Sequence, residues 1–204
     1  MKYFDIRQKL ADLKVFSVED LYIVDPAFRL ETLYEWEKKH WVVKLRSKKY
    51  IFADYNPTGY DLYLIGNKLY EPSYISLELT LNHYGVIPEA VMRVTSVTTN
   101  KTLNVETPVG IFDYKTLSPR LFFGYQLITS GSTTYKIASL EKAIIDYMYL
   151  NPQVVSAVDI EALRFNTELL KERLDVAMLE QIVSVFDIAS LRERVSMLIK
   201  YLQI

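Results

Sequence analysis

The order of hydrophobic periods along the chain predicts an α+β protein, an N-terminal winged helix-turn-helix followed by a C-terminal domain. Helical spacing dominates residues 2–40, strand-like runs dominate residues 91–137, and helical spacing then returns. The second domain is expected to hold a small, mostly antiparallel sheet, packed helices and a helical tail. Asn, Pro and Gly cluster at residues 54–59, as in a linker. The predicted domains are therefore residues 1–57 and 60–204.

Composition narrows the class of protein. The 204 residues suffice for one large domain or two small ones. Half of them are hydrophobic and about a quarter are charged, as in globular proteins. No apolar run approaches the ~18 residues of a membrane span, and the first residues lack the apolar core of a signal peptide. We therefore expect a cytoplasmic protein without membrane contact. With no cysteine, disulfides and thiolate sites are excluded.

Three short helices are predicted at the N-terminus. The first covers residues 2–13, because apolar side chains recur there at helical spacing. Ser17 and Asp20 have the spacing of a capping box, which starts a second helix at Ser17. Asp25 and Pro26 are a typical cap and first-turn pair, so the third helix is expected to start there. Its inward side chains are expected to be Leu30, Leu33 and Tyr34.

A basic hairpin is predicted after these helices. Two β-rich runs, residues 41–45 and 50–53, flank the polar residues 46–49. No acid lies within residues 38–53, and so cationic a stretch suits phosphate oxygens. Together with a cation on the third helix, the predicted DNA contacts are Arg29, Lys38, Lys39, Lys44, Arg46, Lys48 and Lys49.

The segment at residues 72–89, PSYISLELTLNHYGVIPE, predicts a central helix with firm ends. Pro72 and Ser73 suit a helix start, and Gly85 and Pro88 suit its end. The buried stripe between them is expected to be Tyr74, Leu77, Leu81 and Tyr84. Strand-like runs follow, and Asn100-Lys101 predicts a hairpin turn between the first two.

The C-terminal third is predicted to be helical. Ser139 is expected to cap a helix at Leu140–Leu150, whose apolar face meets the central helix. We expect Leu77, Leu81, Ile144 and Met148 to be buried together. Candidate caps for the later helices are Asp159, Asn166, Asp175 and Asp187. The last helix is expected to bury Ile188, Leu191, Val195, Leu198 and Leu202.

The sequence offers no recognisable active site, so no catalytic residue, metal or cofactor is expected. The two histidines, His40 and His83, are far apart and lack a metal-binding spacing. There is no Gly-rich phosphate loop and no nucleophile elbow. Glu71, Glu78 and Glu89 surround the central helix, where caps and solvated positions explain them better than general acids do.

Four fragments in order resemble a known family: PSYISLE, YGVIPE, TSVTTNK and LEKAIIDYMYL. They are similar to the AbiEi antitoxin family of bacterial type IV toxin–antitoxin systems, across about residues 16–164. The resemblance implies an N-terminal winged helix that binds inverted repeats in promoter DNA and represses its own operon. It also implies a C-terminal domain that neutralises a nucleotidyltransferase-like toxin without a stable complex.

Two features leave an alternative open. The third helix carries Glu31, Glu35 and Glu37, which repel phosphates. Lys49 stands where the family tends to have a glycine before the tyrosine of the second hairpin strand. The alternative is a non-catalytic protein-interaction module whose winged helix is structural or dimerising and does not read DNA. The cationic hairpin favours DNA binding, and the acidic helix favours the interaction module.

Overall fold

The computed structural model describes residues 2–131 and 133–204, and the fold is α+β, as predicted. Within those two ranges, no helix combines the length and the apolar character needed to span a bilayer. The chain forms a three-stranded antiparallel sheet near the N-terminus and a six-stranded mixed sheet after it. Helices pack on both sheets.

The N-terminal part combines three helices with a small sheet. Its elements are α1 (Tyr3–Lys9), β1 (Phe16–Ser17), α2 (Val18–Val24), α3 (Leu30–Lys38), β2 (Val42–Arg46) and β3 (Lys49–Phe52). The Ser17–Asp20 capping box is confirmed at the start of α2. The start of α3 was predicted wrongly: the Asp25 side chain accepts from the Ala27 amide and closes a turn, so the helix begins at Leu30. β1, which the sequence analysis did not identify, pairs with β3.

Residues 72–84 contain a strand and a helix, so the single predicted helix was wrong in its first turn. The elements here are α4 (Tyr60–Leu69), β4 (Ser73–Ile75) and α5 (Leu77–His83). Ser73 is a strand residue, and β4 lies inside the large sheet, where the β-favouring Tyr74 and Ile75 are fully buried. The predicted end is confirmed: Gly85, at a φ of +82°, follows α5 in the left-handed region.

The large sheet is mixed but mostly antiparallel, as predicted, because three of the five strand pairings in the described residues are antiparallel. Its strands are β4, β5 (Arg93–Thr98), β6 (Leu103–Thr107), β7 (Gly110–Thr116), β8 (Tyr125–Ser130) and β9 (Thr133–Ala138), in the spatial order β6-β7-β5-β4-β9-β8. β4 runs parallel to β9, and β5 runs parallel to β7. The hairpin predicted at Asn100-Lys101 was wrong, because β7 lies between β5 and β6 and pairs with both.

The C-terminal third is helical, as predicted. Its helices are α6 (Leu140–Leu150), α7 (Ala157–Ala162), α8 (Thr167–Arg173), α9 (Val176–Phe186) and α10 (Ala189–Leu202). Ser139, Asn166 and Asp175 cap α6, α8 and α9. Two predicted caps were wrong. Asp159 is the third helical residue of α7 and closes a capping box with Ser156, which is the actual cap. Asp187 ends α9 in the left-handed region.

In the part of the chain that the structure describes, three hydrophobic clusters hold these elements together. The helical cluster buries Leu77, Leu81, Ile144 and Met148 together, which confirms that prediction. The N-terminal cluster lies between the first three helices and one face of the small sheet. The other face of that sheet contributes Leu45 and Ile51 to the cluster beneath the large sheet. The N-terminal part and the second part therefore share a core.

One ion pair is completely buried between α6 and β4. The Lys142 ammonium donates to the Asp146 carboxylate, and the side chains of both residues are inaccessible to solvent. Asp146 also accepts from the Tyr74 hydroxyl and the Ser76 hydroxyl, each at 2.9 Å. Lys142 also donates to the Tyr74 hydroxyl at 2.8 Å. The carboxylate is therefore satisfied by three donors, as a buried charge requires.

Candidate nucleic-acid interface

The seven predicted DNA contacts lie at the two ends of α3 and on the basic hairpin (residues 42–52), next to α2. Leu21 and Leu33 are fully buried, and Trp36 nearly so, which fixes α2 and α3 against the small sheet. Trp36 takes the inward position that the sequence analysis gave to Tyr34, which is exposed. Leu33 and Trp36, three residues apart, form the buried side of α3, and Tyr34 lies outside that side.

The basic hairpin is folded so that its two faces meet different neighbours. Lys44 pairs with Tyr50, and Val43 pairs with Ile51. Tyr50 packs in the N-terminal cluster, whereas Ile51 packs in the cluster of the large sheet. Because side chains alternate between faces of a strand, Lys44 lies on the side of α2 and α3. The pairing shifts between Lys44 and Arg46, so the register is irregular where the hairpin turns.

Three of the seven predicted cations are exposed and, within the described residues, contact neither a carboxylate nor an aromatic ring. Arg29 precedes α3, Lys38 is its last residue and Lys44 lies on β2. All three side chains are exposed, and none has an acidic partner among residues 2–131 and 133–204. A phosphate could approach these three cations without displacing a carboxylate.

The remaining four cations are engaged within the protein. Lys48, at the turn, lies 3.1 Å from the Glu19 carboxylate of α2. Lys49 lies 3.8 Å from the Glu71 carboxylate, and the Arg46 guanidinium lies 4.9 Å from the centre of the Tyr70 ring. The Lys39 ammonium lies 5.0 Å from the centre of the Trp41 ring. Arg46 and Lys49 thus contact the second part of the chain, whereas Lys48 and Lys39 have partners within the N-terminal part.

A cleft of about 210 Å³ separates the hairpin from α2 and α3. Its walls carry the exposed rings of Tyr22 and Tyr34, together with Lys44, Lys48 and the buried Tyr50. Burial raises the pKa of the Tyr50 hydroxyl, and the nearby Glu37 carboxylate raises it further. Tyr50 therefore stays neutral at physiological pH and can donate a hydrogen bond. Aromatic rings and lysines on one cleft are groups that contact nucleic acids.

Acidic side chains share this surface. Glu31 and Glu35 of α3 are exposed, while Glu37 is half-buried. A hydrogen bond from its own backbone amide lowers the pKa of Glu19, and a hydrogen bond from Lys48 lowers it further. Acidic and basic side chains therefore lie side by side on this surface.

Sequence analysis missed the partners of the engaged cations. The Ser17 cap places Glu19 in the first turn of α2, and that much could be predicted from the sequence. No local pattern indicates that Glu19 lies beside Lys48. Tyr70 and Glu71 follow α4, a helix that the sequence analysis left unassigned. Their contacts with Arg46 and Lys49 depend on how the second part folds back, which no local pattern encodes.

A metal site or a reactive histidine would be another kind of functional site in the described residues. Within residues 2–131 and 133–204, no group of three or more His, Asp or Glu side chains could hold a metal ion. His83 packs edge-on against Tyr60 and Tyr84, and burial lowers its pKa, so it is a neutral aromatic residue here.

A comparison with known protein families finds no match for this sequence, and a comparison with curated proteins finds none either.

Proposed function

We propose that this protein binds promoter DNA through its N-terminal part, acting as a winged helix that represses its own operon. The observation that carries the proposal is a set of three exposed cations, Arg29, Lys38 and Lys44, on a three-helix and hairpin scaffold. Among residues 2–131 and 133–204, these three cations have neither an acidic nor an aromatic partner. Such cations release counterions when they neutralise phosphates, which drives association with DNA.

In this proposal α3 is the recognition helix and the basic hairpin is the wing. A nine-residue helix is about 13 Å long, close to the ~12 Å width of the major groove. Arg29 and Lys38, at its two ends, would reach phosphates on the strands beside the groove. The carboxylates of Glu31 and Glu35 would then face base edges, where an acidic side chain can accept from the cytosine amino group.

The antitoxin role rests on the resemblance of the second part to the AbiEi family. We propose that the second part neutralises a nucleotidyltransferase-like toxin encoded nearby, without forming a stable complex with it. Co-purification tests this mechanism. The two proteins, mixed at micromolar concentration, should elute separately on size-exclusion chromatography. Co-elution would make the protein a direct-binding antitoxin instead.

Fluorescence anisotropy with the protein's own promoter DNA tests the DNA-binding role. The Arg29→Ala/Lys38→Ala/Lys44→Ala variant should lose affinity on the order of a hundredfold at about 0.1 M salt, if each cation neutralises one phosphate. The slope of log K against log salt should flatten by up to about 0.9 per lost contact.

The matched control removes three exposed cations of the second part, in the variant Lys101→Ala/Lys115→Ala/Lys200→Ala. It carries the same charge change, so it should lose much less affinity. Equal losses in both variants would mean that net charge, and not the N-terminal surface, determines binding.

A second candidate is the interaction module without DNA binding. The exposed Glu31 and Glu35 on α3 favour it, as do the intramolecular contacts of Arg46 and Lys49. Under this alternative the parent protein binds neither its promoter nor unrelated DNA at low salt. Binding that prefers the promoter over unrelated DNA would reject it.

A further inference from the structure

We propose that Tyr70 and Glu71 form a latch that holds two cations of the basic hairpin and competes with DNA for them. This inference rests on the proposed DNA-binding function and concerns its regulation. Arg46 and Lys49 are partners in the hairpin register, so they project from neighbouring positions. Tyr70 contacts the first and Glu71 contacts the second, at 4.9 Å and 3.8 Å.

The two latch residues are anchored in the second part by contacts of their own. The Tyr70 ring packs edge-on against the Tyr114 ring at 5.2 Å. Tyr114 is fully buried and donates to the Gly66 carbonyl of α4 at 2.7 Å. The Glu71 carbonyl accepts from the Asn100 side-chain amide at 2.9 Å. Both latch residues are therefore held by contacts that do not involve the hairpin.

The hold on the two cations is weak enough for DNA to break. Lys49 and Glu71 are partly exposed, and exposed ion pairs contribute little in water. Glu71 also lies 3.4 Å from Lys68, so it keeps a cationic partner when Lys49 leaves. An arginine and a phosphate form two charge-assisted hydrogen bonds, and these are stronger than the cation–π contact between an arginine and an aromatic ring. A phosphate can therefore displace Arg46 from the Tyr70 ring.

Release of the latch should raise affinity for DNA. In Glu71→Gln, Lys49 loses its carboxylate partner and becomes free for a phosphate. We expect affinity to rise about two- to fivefold at low salt, with a steeper salt slope by up to about 0.9. Tyr70→Leu should act in the same direction through Arg46. The matched control is Glu168→Gln, which breaks a similar exposed ion pair with Lys171 on α8 and should leave affinity unchanged.

Loss of one negative charge near DNA would by itself raise affinity, and a double-mutant cycle separates the two causes. If the latch acts through Lys49, Glu71→Gln gives no gain in the Lys49→Ala background. If the gain persists there, simple repulsion explains it and the latch is rejected.

The outcomes also separate the latch from the proposed function. A parent protein that binds promoter DNA with the same affinity and salt slope as Glu71→Gln and Tyr70→Leu overturns the latch alone. Failure of the parent and of both variants to bind any DNA overturns the proposed function and the latch with it. Binding that appears only in the released variants supports both.

Discussion

The Lys48–Glu19 pair of the basic hairpin and the Lys142–Asp146 pair of α6 join the same types of group in opposite surroundings. The side chains of Lys48 and Glu19 are 69% and 61% exposed, whereas both side chains of the α6 pair are 0% exposed. Water solvates the charges of the first pair, so little is lost when it opens. The second pair has no solvent to replace a lost partner.

This contrast separates the charges that are available to a ligand from those that maintain the fold. Exposed cations can exchange a carboxylate for a phosphate at small cost, which a DNA-binding surface needs. A buried ion pair adds little stability compared with apolar side chains in the same place, but removing one of its partners is strongly destabilising. The same distinction orders the expected effects of mutation, from the α6 core outward to the hairpin.

The largest effect is expected for Asp146→Ala. It removes the acceptor of three hydrogen bonds and leaves Lys142 buried beside the rings of Phe123 and Phe186. Burial already lowers the pKa of Lys142, and Asp146 opposes that effect, so the variant's amine should deprotonate. We expect the free energy of unfolding to fall by about 3–5 kcal/mol, measured by urea denaturation.

The control replaces both partners. Lys142→Met/Asp146→Leu removes both charges and should recover part of the stability, because apolar pairs often substitute for buried ion pairs. A loss below about 1 kcal/mol in Asp146→Ala would mean that the pair is hydrated in solution.

The next effect is a cavity on the same helix, two residues from Lys142 and from Asp146. Ile144 is fully buried between α5 and the helical tail, so Ile144→Ala should cost about 2–5 kcal/mol. Leu77→Ala, in the same cluster, should behave alike. The matched control is Val158→Ala, because Val158 on α7 is 72% exposed and should change the free energy of unfolding by less than about 0.5 kcal/mol. Equal losses at Ile144 and Val158 would contradict the assignment of the core.

The sequence predicted these apolar positions but not the buried charges beside them. Ile144 and Met148 follow helical spacing and could be assigned to the core. Lys142 and Asp146 are four residues apart, a spacing typical of an exposed pair on a helix surface. Their burial depends on β4 and on the rings of Phe123 and Phe186, which long-range folding brings to α6.

The same reasoning explains the two largest errors in the fold. Local propensity identified most strands, but the order of strands in a sheet depends on non-local pairing. Asn100-Lys101 resembles a hairpin turn, yet the strands on either side of it, β5 and β6, are separated in the sheet by β7. In β4, helical spacing of Tyr74 and Leu77 competed with β-favouring residues. The three residues of β4 are buried on both faces of the large sheet, and this environment favours the strand over the helix.

A smaller effect is expected at the junction between the two parts. Asp61 accepts from Lys14 at 2.6 Å and from Thr133 at 2.9 Å. Burial would raise the pKa of Asp61, but these hydrogen bonds outweigh it and lower the pKa. Because the pKa of Asp61 is lower in the folded than in the unfolded protein, its ionised form stabilises the fold at pH values above the unfolded pKa of about 3.9. This stabilisation is lost as the pH falls through the folded pKa. Asp61→Asn should therefore cost about 1–3 kcal/mol at neutral pH.

The pH dependence distinguishes this charge from packing. The difference in unfolding free energy between the parent and Asp61→Asn should shrink as the pH falls below about 4. The control is Asp12→Asn, because Asp12 is an exposed residue of the N-terminal part, and this variant should show no comparable effect. A difference that stays constant down to acid pH would assign the loss to packing instead.

The smallest effect is expected for the exposed pair of the basic hairpin, and it bears most directly on DNA binding. Glu19→Gln, Lys48→Gln and the double variant form a cycle, measured by the midpoint of urea denaturation. Both groups are solvated, so the two single changes should add within error at about 0.15 M salt. Lys48 can then leave Glu19 for a phosphate, and Glu19→Gln should tighten DNA binding only while Lys48 is present. Strong coupling in the cycle would instead place Lys48 among the charges that maintain the fold, and the DNA-binding surface would be limited to Arg29, Lys38 and Lys44.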